Sequence, residues 1–154
     1  NASNNNGRGI LLASSNFTTI VNNTILSFNG SEGISLTSSY RNAILLNNIT
    51  IYSYMRGSNK GISLTSSINN SIIGNNISSN LNISGGVGGG IFLQGSNYTF
   101  IDSNVIVTWN SSFHGIELIE SSSFNNITNN RITTYGTEAY GIYLFNSISS
   151  SNDK

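Results

Sequence analysis

Residues 33–49 read GISLTSSYRNAILLNNI, and this stretch decides the fold. It opens on Gly33-Ile34-Ser35-Leu36, crosses polar turn residues and closes on Ile44, Asn47 and Ile49 in the pattern Ile-x-x-Asn-x-Ile. Ile34 and Leu36 lie two apart, so in an extended chain both side chains point to one face. Short β-branched runs bounded by Ser, Asn and Arg read as strands.

The tetrad recurs at Gly9-Ile10-Leu11-Leu12, Gly61-Ile62-Ser63-Leu64, Gly90-Ile91-Phe92-Leu93, Gly115-Ile116-Glu117-Leu118 and Gly141-Ile142-Tyr143-Leu144. Its spacings are 24, 28, 29, 25 and 26 residues. The second motif follows at Ile20-Asn23-Ile25, Ile72-Asn75-Ile77, Ile101-Asn104-Ile106 and Ile127-Asn130-Ile132. The fifth copy starts one residue later than the others, which places an insertion near Ser121-Ser123. A fixed inward pattern on such a period describes a solenoid. The expected fold is all-β, a single domain over residues 1–154, with about six coils starting near 9, 33, 61, 90, 115 and 141. No stretch keeps a helical apolar period, so no significant helix is expected. Stacking like on like pairs every strand in parallel with its counterparts, about 4.8 Å apart.

The recurring Asn needs its own reason. It falls at a bend between two inward Ile residues, and Asn tolerates left-handed backbone there. Its amide can also bond the same Asn one coil away. Asn23, Asn47, Asn75, Asn104 and Asn130 are the expected ladder. The alternative is that they are solvated turn residues.

The Gly-Ile-x-Leu and Ile-x-x-Asn-x-Ile pattern over about residues 8–148 resembles the right-handed parallel β-helix repeat superfamily. That group includes pectate-lyase-like and carbohydrate-associated β-helix domains, and archaeal or bacterial cell-surface repeat proteins. The resemblance implies a fold; its repeat residues are core residues and imply little about activity.

Composition narrows the function classes. Asn, Ser and Thr number 27, 28 and 12 among 154 residues, while charged residues make up 8% and net charge is zero. The absence of Cys rules out disulfides, thiol chemistry and Cys-ligated zinc. Six Lys and Arg are too few for a nucleic-acid footprint. No apolar run approaches a membrane span, and no signal peptide is visible. No metal site or cofactor is expected. A chain that begins at Asn1 reads as a processed product or an excised segment.

Asn-x-Ser/Thr occurs eleven times, at Asn1, Asn16, Asn22, Asn29, Asn48, Asn69, Asn76, Asn82, Asn97, Asn110 and Asn126. None of the five ladder Asn residues is among them, because the repeat places a core Ile two positions later. Covalent N-glycans on several of these sites would keep a nearly uncharged surface in solution.

Coil length varies between the last Ile of one coil and the next Gly, and such insertions project from one face. That face holds Phe28, Tyr52, Tyr54, Trp109, Phe113, Tyr135 and Tyr140. These aromatics either meet a polysaccharide or a neighbouring protein, or cover the third side of the core. The Gly-rich run Ser84–Gly90 lacks the Lys-Ser/Thr of a phosphate cradle and reads as a flexible loop.

An enzyme reading finds little material. The acids are Glu32, Asp102, Glu117, Glu120, Glu138 and Asp153, without the paired alignment that glycoside hydrolysis requires. His114 reads as a solvated turn residue. Convergence of Glu117, Glu138 and His114 in a cleft would reopen the question. The expected role is therefore non-enzymatic and extracellular: a subunit or segment of a glycosylated cell-surface filament, sheath or surface layer. Residues 141–154 and 1–8 together approach one coil, so copies can join head to tail, although Asn152 and Ser3 would occupy Ile positions. The alternatives are flanking coils of a longer chain, or a carbohydrate-binding module.

Overall fold

The computed structural model describes residues 7–30, 32–54, 57–81, 87–147 and 151–152. Asn1, Asn82, Ser3, Asp153 and Ser84–Gly86 of the Gly-rich run lie outside them.

Each coil contributes three strands. The first carries β1 (Arg8–Ala13), β2 (Thr19–Val21) and β3 (Thr24–Phe28). The second carries β4 (Glu32–Thr37), β5 (Ala43–Leu45) and β6 (Asn48–Ser53). The third carries β7 (Ser58–Thr65), β8 (Ser71–Ile73) and β9 (Asn76–Leu81). The fourth carries β10 (Val87–Gln94), β11 (Phe100–Asp102) and β12 (Val105–Trp109). The fifth carries β13 (His114–Ile119), β14 (Asn126–Thr128) and β15 (Arg131–Thr134). A partial sixth adds β16 (Ile142–Leu144) and β17 (Ser151–Asn152).

Three parallel sheets result. The first orders β1-β4-β7-β10-β13-β16, the second β17-β14-β11-β8-β5-β2 and the third β15-β12-β9-β6-β3. The chain is a parallel β-solenoid of five full turns and part of a sixth, with no helix among the described residues.

The register stacks like on like. Ile10, Ile34, Ile62, Ile91, Ile116 and Ile142 pair in sequence across the first sheet. Ile20, Ile44, Ile72, Ile101 and Ile127 do so across the second, and Ile25, Ile49, Ile77, Ile106 and Ile132 across the third. With the Leu column of the first sheet they form one continuous core. Each fully buried Ile or Leu contributes about 1.5–3 kcal/mol, and only stacking delivers that burial.

The tetrad glycine is a matter of space. A Cβ on Gly33 would stand 2.5 Å from both the carbonyl oxygen of Gly61 and Cγ2 of Ile49. Coils therefore close tightly at this corner only without a side chain. The same argument corrects the reading of the Gly-rich run. Val87–Gly90 are not loop but the start of β10, paired with Ser58–Lys60 of β7. A Cβ on Gly88 would lie 2.6 Å from the ring of Phe113, and one on Gly89 2.5 Å from the carbonyl oxygen of His114.

The corners use left-handed backbone in columns. One column is Asn22, Leu46, Gly74, Ser103 and Asn129, with φ between 51° and 64°. These residues immediately precede the five recurring Asn residues, none of which is itself left-handed. The bend is thus taken one position earlier than expected. That frees the Asn side chain to face the axis of the stack.

Candidate functional site

Polar side chains organise first into axial ladders. The backbone N–H of Asn23, Asn47, Asn75 and Asn104 each donates to Oδ1 of the next coil's Asn at 2.9 Å. The side-chain amides donate in the same direction at 2.9–3.0 Å, ending on Asn130. The amides of Asn47, Asn75, Asn104 and Asn130 also reach back to carbonyls of Ile20, Ile44, Ile72 and Ile101. Asn47, Asn75 and Asn104 are buried.

Two further columns were not anticipated. Ser15, Ser39, Ser67 and Ser96 donate N–H to the hydroxyl of the next coil's Ser, ending on Ser122. Thr18 donates to Asn42, Asn42 to Asn70 and Thr99 to Asn125. The signal was present: Ser stands six residues after Gly9, Gly33, Gly61 and Gly90. Ser is the commonest residue, which hides the recurrence. Thr99 interrupts the last column, and its buried hydroxyl has no partner.

The aromatic set divides. Phe28 stacks on Tyr52 at 5.8 Å, and Trp109 on Tyr135 at 5.7 Å. Asn80 separates the pairs in register, facing Tyr52 on one side and Trp109 on the other. Tyr54 lies beyond, strongly exposed. Phe113 does not belong to a surface: it is fully buried, its ring filling the space left by Gly88. Tyr140 stands apart, against His114 and Tyr143.

Nine sequon residues are described. Asn22, Asn48, Asn69, Asn76 and Asn126 are exposed; Asn16, Asn29, Asn97 and Asn110 are half-buried. Each of the latter four accepts a backbone N–H at Oδ1, from Tyr40, Tyr54, Ser123 and Ser111 respectively.

The outer face of the first sheet brings together Arg8, Glu32, Lys60 and Glu117. Arg8 Nε donates to Glu32 Oε2 at 2.9 Å, and Ser58 donates to Glu32 Oε1 at 3.0 Å. Burial raises the Glu32 carboxyl, but bonds from Ser35, Arg8 and Ser58 outweigh it and leave it below its ordinary range. Lys60 Nζ sits 3.3 Å over the centre of the Phe92 ring. Burial pushes Lys60 down, while Glu32 and Glu117 pull it back. Burial likewise raises Glu117, offset in part by Lys60.

Beside them, Ser112, His114, Glu117, Glu138, Tyr140 and Tyr143 line a shallow hollow of about 450 Å³. His114 is not a solvated turn residue. It begins β13, is only 8% exposed and accepts the Tyr140 N–H at Nδ1, 3.1 Å away. Its ring stacks on Tyr143 at 4.6 Å, and burial lowers its basicity. Glu117, Glu138 and His114 thus share one open hollow, which meets the condition for reopening an enzyme reading; Nδ1 of His114 is taken by the Tyr140 N–H, so only Nε2 of the imidazole remains for a substrate. Among the described residues, no three His, Asp or Glu side chains group closely enough to hold a metal ion. No described helix is long and apolar enough to cross a membrane.

No curated protein matches the chain. The family model described as a right-handed β-helix region matches residues 8–153, which is nearly the whole repeat array. With parallel coils, stacked Ile columns and a tetrad glycine at every full turn, the chain belongs to the right-handed β-helix family.

Proposed function

We propose that the chain is a non-enzymatic structural solenoid of the cell exterior, a subunit or segment of an N-glycosylated filament, sheath or surface layer. What supports this reading most is the commitment of polar side chains to the axis. Unbroken columns of Asn and Ser, and a third column interrupted at Thr99, tie the coils together. Groups that a binding protein would present to a ligand are spent here on holding a rod in register. A second copy, or further coils of a longer chain, extends the same stack by a heterologous contact that repeats along one axis. Negative-stain microscopy at rising protein concentration tests it. Fibres or sheets of coil-width rods are expected, and solely monodisperse particles count against assembly. Intact mass before and after chemical deglycosylation tests the sugar: a native mass equal to the bare sequence sinks that part.

A second reading is a carbohydrate-binding module, favoured by the stacked Phe28–Tyr52 and Trp109–Tyr135 pairs. A glycan array separates the two. A binder retains a defined glycan, and Trp109→Ala or Tyr54→Ala weakens that retention.

A further inference from the structure

The corner between the first and second sheets carries side chains that its backbone does not ask for. Phe17, Arg41, Asn69, Tyr98 and Phe124 hold the same place in five successive coils. Each of the first four donates its N–H to the carbonyl of the residue just before the next. All five have left-handed backbone, with φ between 53° and 60°. Such a position suits Gly or Asn and is an outlier for a bulky residue. The column Asn22, Leu46, Gly74, Ser103 and Asn129 obeys that preference at four of its five places. Here three of the five are aromatic and turned to solvent: Phe17 is 66% exposed, Tyr98 57% and Phe124 50%. Tyr40 and Ile68, paired in register one position earlier, are exposed too. Together they form an apolar stripe roughly 20 Å long at the spacing of stacked strands. Backbone outliers that persist at exposed bulky residues point to a use outside the fold.

The two ends of the stripe match. Phe17 and Tyr40 meet edge to face at 5.4 Å across the first two coils, and Tyr98 and Phe124 stack at 5.1 Å across the fourth and fifth. Ile68 and Asn69 of the third coil lie between, beside an open hollow of about 550 Å³ that Tyr40 and Arg41 also line. A half-turn about an axis through the third coil lays one aromatic pair on the other, so the stripe is complementary to itself. Four half-exposed rings and Ile68 offer roughly 500 Å² per copy, over half of the ~800 Å² that each partner buries in a standard interface. Charge sets the direction. Arg41 is the one charged residue of the stripe, its guanidinium 5.7 Å from the centre of the Phe17 ring. In a parallel pair Arg41 meets Arg41. In an antiparallel pair the second coil faces the fourth, and each Arg41 lies against Tyr98 of the other copy, where a ring face attracts a cation. We propose that this corner is a lateral docking surface for a second copy of the chain, running antiparallel about the third coil. Asn69, exposed at the centre, is then a sequon that association leaves bare, since a sugar there takes the place of the second copy. The contact lies beside the stack and is independent of any contact at its ends.

Sedimentation velocity of the full chain, prepared without sugar at about 1–100 μM, tests it. A closed dimer with a dissociation constant of about 10 μM is expected, distinct from open-ended growth at the ends. Phe124→Asn and Tyr98→Asn each supply a residue suited to left-handed backbone. Urea midpoints should therefore hold or rise while association weakens about tenfold or more. Val105→Ser, at an exposed apolar residue of the third sheet, is the control. Arg41→Glu should weaken the dimer several-fold, and its mixture with the native chain should associate no more tightly than the native chain alone. In glycosylated material the dimeric fraction should carry no sugar on Asn69. A chain that stays monomeric at about 100 μM overturns the proposal, as do Asn variants that associate like the native chain or Val105→Ser acting as strongly. So does a fall in both Asn variants' midpoints, which makes the rings part of the monomer's own packing. A mixture tighter than the native chain, the mark of parallel pairing, or sugar on Asn69 within dimers overturns it equally.

Discussion

His114 shows how one residue's surroundings set its chemistry. Its Nδ1 lone pair accepts the Tyr140 N–H, and its ring is sandwiched against tyrosines. Burial holds its basicity below the ordinary 6.5. The unfolded chain therefore takes up the proton first. This contribution to stability is complete above pH 6.5 and is lost as pH falls toward the lowered folded value. Glu117 runs the other way: its raised carboxyl makes acidification toward 4.5 relieve a buried charge. Urea midpoints measured from about pH 7 down to about pH 5 should fall in the native chain, and His114→Gln should flatten that fall.

At the scale of the element, the Asn column is the device that fixes register. Asn75 accepts from both nitrogens of Asn47 and donates to Ile44 and Asn104. Asn75→Leu fills the space but strands several buried donors and acceptors, each costing about 1–3 kcal/mol. A loss of about 3 kcal/mol or more is expected in denaturant titration. Thr99→Asn is the converse case. It offers Asn70 the acceptor that Asn42 and Asn125 provide in the same column, and should stabilise by about 1 kcal/mol. The inward Ile and Leu columns were legible in the sequence because they repeat at fixed spacing. The outer face was not. Arg8, Glu32, Lys60, His114 and Tyr140 all stand just before a tetrad glycine, yet solvent places no periodic demand on them. They become neighbours only when the register is known. Glu117 stands in a column with Ser63, Phe92 and Tyr143, and His114 in another column with Lys60 and Gly89. Phe113 was misplaced for a related reason: its burial depends on Gly88, one coil away.

For the whole molecule, coil spacing governs what the surface can carry. Asn48 and Asn76 are register partners in adjacent coils, and the Asn76 amide donates to Asn48 at 3.3 Å. Strands stand about 4.8 Å apart, so a sugar on one covers the amide of the other. Mass spectrometry of a native glycosylated fragment holding both sites should show at most one occupied per molecule. Two glycans on one fragment would refute the crowding.

The uniform stack also makes the molecule a mechanical fuse. Force applied along the axis loads the bonds between one coil and its neighbour, and the weakest end yields first. A coil that peels away exposes the next in the same condition, so rupture proceeds in steps rather than all at once. Each step frees the chain of one repeat, 24–29 residues, or roughly 80–100 Å of extended length. Single-molecule stretching should therefore record a sawtooth whose increments match the coil lengths. Such a rod absorbs a pull by surrendering one coil at a time and leaves the remainder intact.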